Sequence, residues 1–425
     1  MEETAEFLSV ALGKMGLAVK KIVPSEEMSP IVFASRTVSD GKASILLYGH
    51  YDVQPCEPLE QWESDPFRLT VKNGVLFGRG VADDKGPLAA MLFGLADAWE
   101  VLRNFPVNVH IAVEGEEEVG SPNFAAFLAN HAGDLSIDAA IIADTGGLSH
   151  SMPTLTTALR SVIEFDISLR TCQRDLHSGF GGCLPNAIHE LVRLCSQLHG
   201  ADGAVAVDGF YDGMAEPAEA ELSTFRFLEG EKFPFLETFG IASADNPFPN
   251  LPIRSVHALR PSLEINGIGG GHQGAGCKTI IPCVAMAKMT ARVVAGQSPA
   301  KMAEQVCEFL RRNRSSHAEL TVGAAIHGHP YGIDFSCTSP RFSHLFRAME
   351  VALGSAFASE PRHLREGGSI GVVSALKDII GADSILVGIV PPDAQIHGPN
   401  EHIPLEILAA GRRAFRQFFL SLCND

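Results

Sequence analysis

Three things are scarce in these 425 residues: paired cysteines, positive charge and long apolar runs. The nine cysteines are scattered and odd in number, with no C-x-x-C pair. That pattern argues against a disulfide framework or a structural zinc knot and suits reduced thiols in a cytoplasmic protein. Lys and Arg total 33 against 50 Asp and Glu, a formal net charge of −17. A nucleic-acid partner demands clustered Lys and Arg, so this balance argues against one. No run of about 18 uninterrupted apolar residues exists, so no membrane span is expected. The opening segment Met1–Lys20 lacks the basic and apolar regions of a signal peptide. Its Leu8, Leu12, Met15 and Val19 fall instead on one helical face.

What is present is globular: 46% of residues are apolar and 20% charged. The length exceeds one ordinary core, so two domains are expected. Apolar runs at Ala43–Gly49, Val107–Val113 and Ile137–Ala143 read as buried strands, with an apolar-faced helix over Pro87–Leu102. Pro87 suits a first helical turn, where its missing N–H has no partner. Strand–helix alternation implies an α/β fold, a sheet with covered faces. From about Ser161 the texture changes. Residues 161–171 alternate apolar and polar, as in a half-exposed antiparallel strand. A helix over Pro185–Leu198, an irregular Pro-rich stretch to about Arg260, and a strand–helix–strand pattern to about Pro330 follow. The run Ala382–Val390 and a closing helix, Leu405–Leu422, return to the earlier style. The expected organisation is a catalytic domain in two parts, 1–157 and 331–425, with a mixed sheet covered by helices. A smaller α+β lid or dimerisation domain, 158–330, interrupts it.

Residues able to do chemistry cluster just past the predicted strands. His50 and Asp52 follow the first; a carboxylate two residues on can accept the imidazole's second N–H and fix its tautomer. Asp83 and Asp84 stand at the start of the first long helix, where acids are common caps. Glu117 and Glu118 lie in an acidic run beyond the second strand; such runs are usually solvated, but a buried acid needs a cation or a raised pKa. Asp144 ends the third strand and His397 follows the run Ala382–Val390. Open α/β sheets place ligands at these strand ends. His50, Asp83, Glu118, Asp144 and His397 form a mixed N/O donor set suited to Zn2+, with Co2+ or Mn2+ as substitutes. Five protein ligands exceed one tetrahedral catalytic site and fit two ions sharing a bridging carboxylate.

Two motifs point elsewhere. Gly367-Gly368-Ser369-Ile370-Gly371 matches the G-x-S-x-G turn of serine hydrolases, but no apolar strand is predicted before it. Gly269, Gly271 and Gly274 match a dinucleotide fingerprint, yet the run on to Pro282 reads as a strand rather than a helix.

In order along the chain stand GHYDVQP, WESDPF, GRGVADDKGP, EGEEEVGSPN, RDLHSGFGG, KTIIP, REGGS and HGPNE. This set resembles the dinuclear zinc metallopeptidase family of aminoacylase, carboxypeptidase G, succinyl-diaminopimelate desuccinylase and carnosinase. It is most similar to the carnosinase-like dipeptidase branch. The resemblance implies that His50 and Asp144 hold one metal, Glu118 and His397 the other, and Asp83 bridges them, often with a cis peptide to the next residue. It implies Glu117 as the general base acting on a metal-activated water, and Asp52 as the support of His50. His177 resembles a residue that reaches the neighbouring subunit's site in a homodimer and stabilises the oxyanion. Arg292, Gly368 and Ser369 resemble the groups that receive the substrate's carboxylate. One departure is Arg292-Val293-Val294-Ala295-Gly296-Gln297, where relatives continue R-L-V-P-G-Q.

The implied activity is hydrolysis of the amide bond of dipeptides or related small substrates with a free carboxylate. The alternative is an N-acyl amino acid deacylase using the same metal centre. A silent relative that binds metal without turnover is disfavoured by the intact Glu117.

Overall fold

The strand Ser44–His50 is buried along its whole length, the consequence of a continuous apolar run with parallel neighbours on both sides. It pairs with Asn108–Glu114 and with Ala139–Gly146. In this computed structural model, which describes residues 1–23, 28–39, 41–133, 135–217, 219–230, 235–238, 240–244 and 246–424, the mixed sheet runs in the order Ala18–Ile22, Ile31–Arg36, Asn108–Glu114, Ser44–His50, Ala139–Gly146, Ser384–Val390, Thr154–Leu159. The inner pairings are parallel, and the flanking ones antiparallel.

Side chains alternate across a strand, and both faces of this one are covered. Ile45 and Leu47 join Leu88, Met91 and Leu95 of the helix Lys85–Leu102 in one core. Tyr48, on the opposite face, meets Phe124 of the helix Phe124–His131 edge-on at 5.1 Å between ring centres. The closing helix Leu405–Ser421 packs on Lys85–Leu102, contributing Phe415, Phe418 and Phe419, each with no exposed surface. Their close approach depends on Gly94: a Cβ there would lie 2.5 Å from that of Phe415.

The chain divides into two compact units. The first comprises Met1–Thr157, Ile333–Leu364 and Ile370–Asp425, and holds the sheet above. The second comprises Ala158–Gly332 and Arg365–Ser369. It is built on an antiparallel sheet ordered Ser262–Gly270, Val284–Val293, Ser161–Arg170, Glu319–His327. Ile163, Phe165, Ile167 and Leu169 alternate inward beneath the helices Ala187–Cys195 and Pro299–Asn313. The first helix is capped by Asn186, whose side chain accepts the N–H groups of Ile188 and His189; Ser298 accepts that of Lys301 at the second, with Pro299 in its first turn. The segment Arg365–Ser369 is tied to this unit by its main chain: Glu366 N–H donates to Ala158 O, and Arg160 N–H to Gly368 O.

Some elements differ from the sequence reading. The stretch before Arg260 carries helices at Glu219–Gly230 and Ile253–Leu259 rather than irregular chain, while residues 218, 231–234, 239 and 245 of it lie outside the described residues. The expected strand before Pro282 shortens to Ile280–Ile281, paired with Leu176–His177. The strand Arg362–Arg365 does precede Ser369, and the short helix Gly371–Ala375 follows it; polar Arg362, His363 and Arg365 hid it from a hydrophobicity criterion. No helix among the described residues is long and apolar enough to cross a membrane.

Candidate metal centre

His50 ends its strand with its ring wholly buried. Nδ1 lies 3.2 Å from Asp52 Oδ1, which leaves Nε2 directed at Asp83 Oδ1, 3.1 Å away, and Asp144 Oδ2, 3.9 Å away. Asp83 stands just before the helix Lys85–Leu102, and its peptide bond to Asp84 is cis. The second oxygen of Asp83 is 2.8 Å from Nε2 of His397, which is in turn 3.4 Å from Glu118 Oε2. Donor atoms of His50, Asp83 and Asp144 thus form one group within 4.8 Å, and those of Asp83, Glu118 and His397 another. Asp83 belongs to both.

Two donors at about 2.0–2.2 Å from one tetrahedral zinc lie roughly 3.3–3.5 Å apart. The four separations given, from 2.8 to 3.9 Å, bracket that spacing. Imidazole and carboxylate donors with this spacing fit a pair of borderline divalent cations.

The electrostatics of the metal-free chain agree with that fit. Burial works against a charged His50, yet hydrogen bonds to Asp52 and Asp83 outweigh it and hold the imidazole's pKa well above its usual value. His397 is raised to about 10 by Asp83 and Glu118. Burial favours the neutral form of Asp83, but its bonds to His397 and His50 win and keep it ionised. Burial and neighbouring acids push Asp84 to about 7 and Asp144 well above the carboxylate range. Glu117 opens the turn Glu117–Val119 after the strand Asn108–Glu114, and burial, with Glu118, Asp83 and Asp52 nearby, lifts it to about 6. Crowded, buried carboxyls beside imidazoles that hold protons are a setting in which a bound cation would displace protons.

Two residues that the sequence did not mark, Gln54 and Glu401, support this arrangement, as does Asp84, which the sequence marked only as a helix cap. Gln54 donates from its amide to Glu118 Oε2 at 2.8 Å and from its main chain to Glu118 Oε1 at 3.2 Å. Asp84 is fully buried with Oδ1 unpartnered, while Oδ2 accepts weakly from His50 N at 3.4 Å. Glu401, also fully buried, binds Arg79 and the chain leading into Asp83. Gln54 and Glu401 lie within the quoted GHYDVQP and HGPNE segments, and that proximity was the available signal.

The remaining predicted site residues belong to the second unit. His177 is exposed, its Nδ1 accepting the Gly179 N–H at 3.0 Å. Arg292 Nη1 donates to Ser369 Oγ at 3.2 Å. The loop carrying Gly368 and Ser369 is held by Arg160, whose Nε donates to Gly367 O at 2.7 Å. Ser369 Oγ therefore accepts a hydrogen bond from a guanidinium.

A model of peptidase family M20/M25/M40 matches residues 46–421. The chain is 29% identical to the Beta-Ala-His dipeptidase of Rattus norvegicus, covering 97% of this chain and 83% of that protein. It is also 29% identical to the Cys-Gly metallodipeptidase dug1 of Schizosaccharomyces pombe, over 99% and 90% of the two chains. Among solved structures it is similar to an M20 family metallo-carboxypeptidase from Sulfolobus solfataricus, with a TM-score of 0.84, 25% identity and coverage of 100% and 94%. Human carnosine dipeptidase 1 gives a TM-score of 0.75 at 27% identity, covering 100% and 92%.

Proposed function

Because this chain belongs to peptidase family M20/M25/M40, we propose that it hydrolyses the amide bond of dipeptides or similar small substrates beside a free carboxylate. One observation carries the reading: a single carboxylate, Asp83, stands 3.1 and 2.8 Å from two imidazoles that come from opposite ends of the sequence. We assign His50 and Asp144 to one cation, Glu118 and His397 to the other, and Asp83 to both. The cations are zinc, with cobalt or manganese as substitutes. When bound, such a pair supplies Lewis acidity at the substrate carbonyl and acidifies a water molecule.

Glu117 accepts a proton from the attacking water as the new C–O bond forms, and returns it to the amine nitrogen as the C–N bond breaks. Its burial favours this exchange by bringing its pKa closer to neutrality. Asp52 orients His50 through Nδ1. His177, supplied by the other subunit of a homodimer through the lid domain 158–330, donates to the oxyanion. Arg292, Gly368 and Ser369 receive the substrate's carboxylate. All nine cysteines are free, which supports a reducing, cytoplasmic setting.

Turnover of dipeptides set beside N-acetyl amino acids, before and after chelation, tests this. Dipeptide cleavage lost with the metal and restored by zinc is the expected result. Cleavage confined to N-acetyl amino acids would make the protein a deacylase, and cleavage indifferent to chelators would overturn the metal reading.

A further inference from the structure

We propose that Glu401 is a positioning residue that sets Asp83 for its two cations and ties it to the segment bearing His397. This rests on the metal centre assigned above. Glu401 has no exposed surface, and four donors converge on its carboxylate. Oε2 accepts Arg79 Nη1 at 2.7 Å and the Gly80 N–H at 3.0 Å; Oε1 accepts the Ala82 N–H at 2.8 Å and the Asp83 N–H at 3.1 Å. Its carbonyl oxygen also accepts the Gly78 N–H at 3.0 Å. The segment Gly78–Asp83 therefore curls around an internal anion, much as a backbone nest curls around a bound phosphate. The φ of +87° at Gly80 gives the curl its left-handed step.

That anion is the fourth residue after His397. The contact joins the main chain of Asp83 to the chain that delivers His397, so the 2.8 Å approach of their side chains has a structural cause. Arg79 balances the buried charge. It is itself held by Pro55 O at 3.1 Å and lies over the Trp62 ring at 5.3 Å. Nearby, Asn400 donates to Gln61 O and accepts the Glu63 N–H. A buried ion pair is weak evidence of net stability, and its best-attested use is to fix one arrangement over others.

Glu401→Gln tests the proposal. An amide keeps the volume but turns an NH2 toward one pair of donors, so the loop loses acceptors at one end. Calorimetric titration of chelated protein with Co2+, with the visible spectrum recorded in parallel, is the readout. Wild-type protein should bind two equivalents; Glu401→Gln should bind with affinity about 10–100-fold weaker, the usual effect of losing an outer hydrogen bond at a metal site, and with an altered cobalt spectrum. Far-UV circular dichroism should stay unchanged. A drop in kcat without a change in KM is expected in the zinc-loaded variant. Should Glu401→Gln fold poorly, Glu401→Asp carries the test: it keeps the charge beside Arg79 but withdraws oxygens from Ala82 and Asp83. Unaltered cobalt affinity and spectrum in a folded variant overturn the positioning role. Wild-type protein that binds no cobalt overturns the metal centre instead.

Discussion

Asp52 holds Glu118 by its main chain: Oδ2 of Asp52 accepts the Glu118 N–H at 2.9 Å. Its other oxygen faces Nδ1 of His50 at 3.2 Å, so one carboxylate steadies a member of each donor group. Asparagine at this position has a single oxygen and cannot serve both partners. Asp52→Asn is expected to weaken zinc binding by about 10–100-fold, read by calorimetry on chelated protein. Equal affinity in the two proteins would remove Asp52 from the metal centre.

Glu117 is adjacent to a donor residue without belonging to either group. Glu117→Gln should retain both metal equivalents while kcat falls by about 10²–10⁴-fold, the range for loss of a general base. Elemental analysis paired with steady-state kinetics separates the two effects. Full turnover in the variant would reassign the proton transfer to another group.

Arg292 is judged by substrate choice. Arg292→Met should raise KM for dipeptides by roughly 10–100-fold, as expected for losing a hydrogen bond to a charged group of about 1.5–3 kcal/mol. Amide analogues that lack the terminal carboxylate should be cleaved equally by variant and wild type. A uniform loss on both substrates would point to structural damage.

Glu114 gives a pH signature in the chelated protein. It is buried, accepts hydrogen bonds from Tyr48 and Ser121, and burial raises it to about 7. Between its unfolded pKa of about 4.3 and 7, the folded state therefore holds a proton that the unfolded state has released. Stability falls as pH rises through that window and levels off above it. Glu114→Gln, which stays neutral, should be more stable than wild type at pH 8 by roughly 1–3 kcal/mol and little different at pH 4. Urea unfolding at the two pH values measures this, and a difference independent of pH would contradict it.

Gly94 tests the packing of the two long helices. A methyl group there would meet Phe415 Cβ, Arg416 N and Arg412 O inside 3.0 Å. Two of these atoms are main chain and cannot rotate away, so the helices must separate. Gly94→Ala should lose about 1–3 kcal/mol by overpacking, despite alanine's better helix propensity. A rise in the unfolding midpoint would show that the contact relaxes freely.

The legible parts of the fold were those in which burial is continuous. Ser44–His50 and Ser384–Val390 are buried throughout and largely apolar because helices and strands cover them. The strand Ala18–Ile22 was not foreseen: two lysines and an exposed edge leave no clean period of two. The helix Pro340–Phe357 also escaped notice, although Ser339 caps it and Pro340 begins it. At the centre, strand ends picked out His50, Asp144 and the Glu117–Glu118 pair, since the backbone fixes where such residues must project. Glu401 was opaque for the opposite reason. Sequence gives a charged residue a solvated default, and its buried partner Arg79 lies 322 positions away. Ser369 was read as a poor nucleophile because of the chain before it. The neighbour that bears on its chemistry is Arg292, which no local pattern reveals.

The polypeptide passes between the two bodies at 157/158, 332/333, 364/365 and 369/370, twice as often as a simple insertion requires. The short return stitch means that residues 158–332 are not a detachable cassette. A chimaera that exchanged them for a homologue's would import a foreign Arg292 opposite the host's own Ser369. Faithful transplantation of the second unit must carry both pieces.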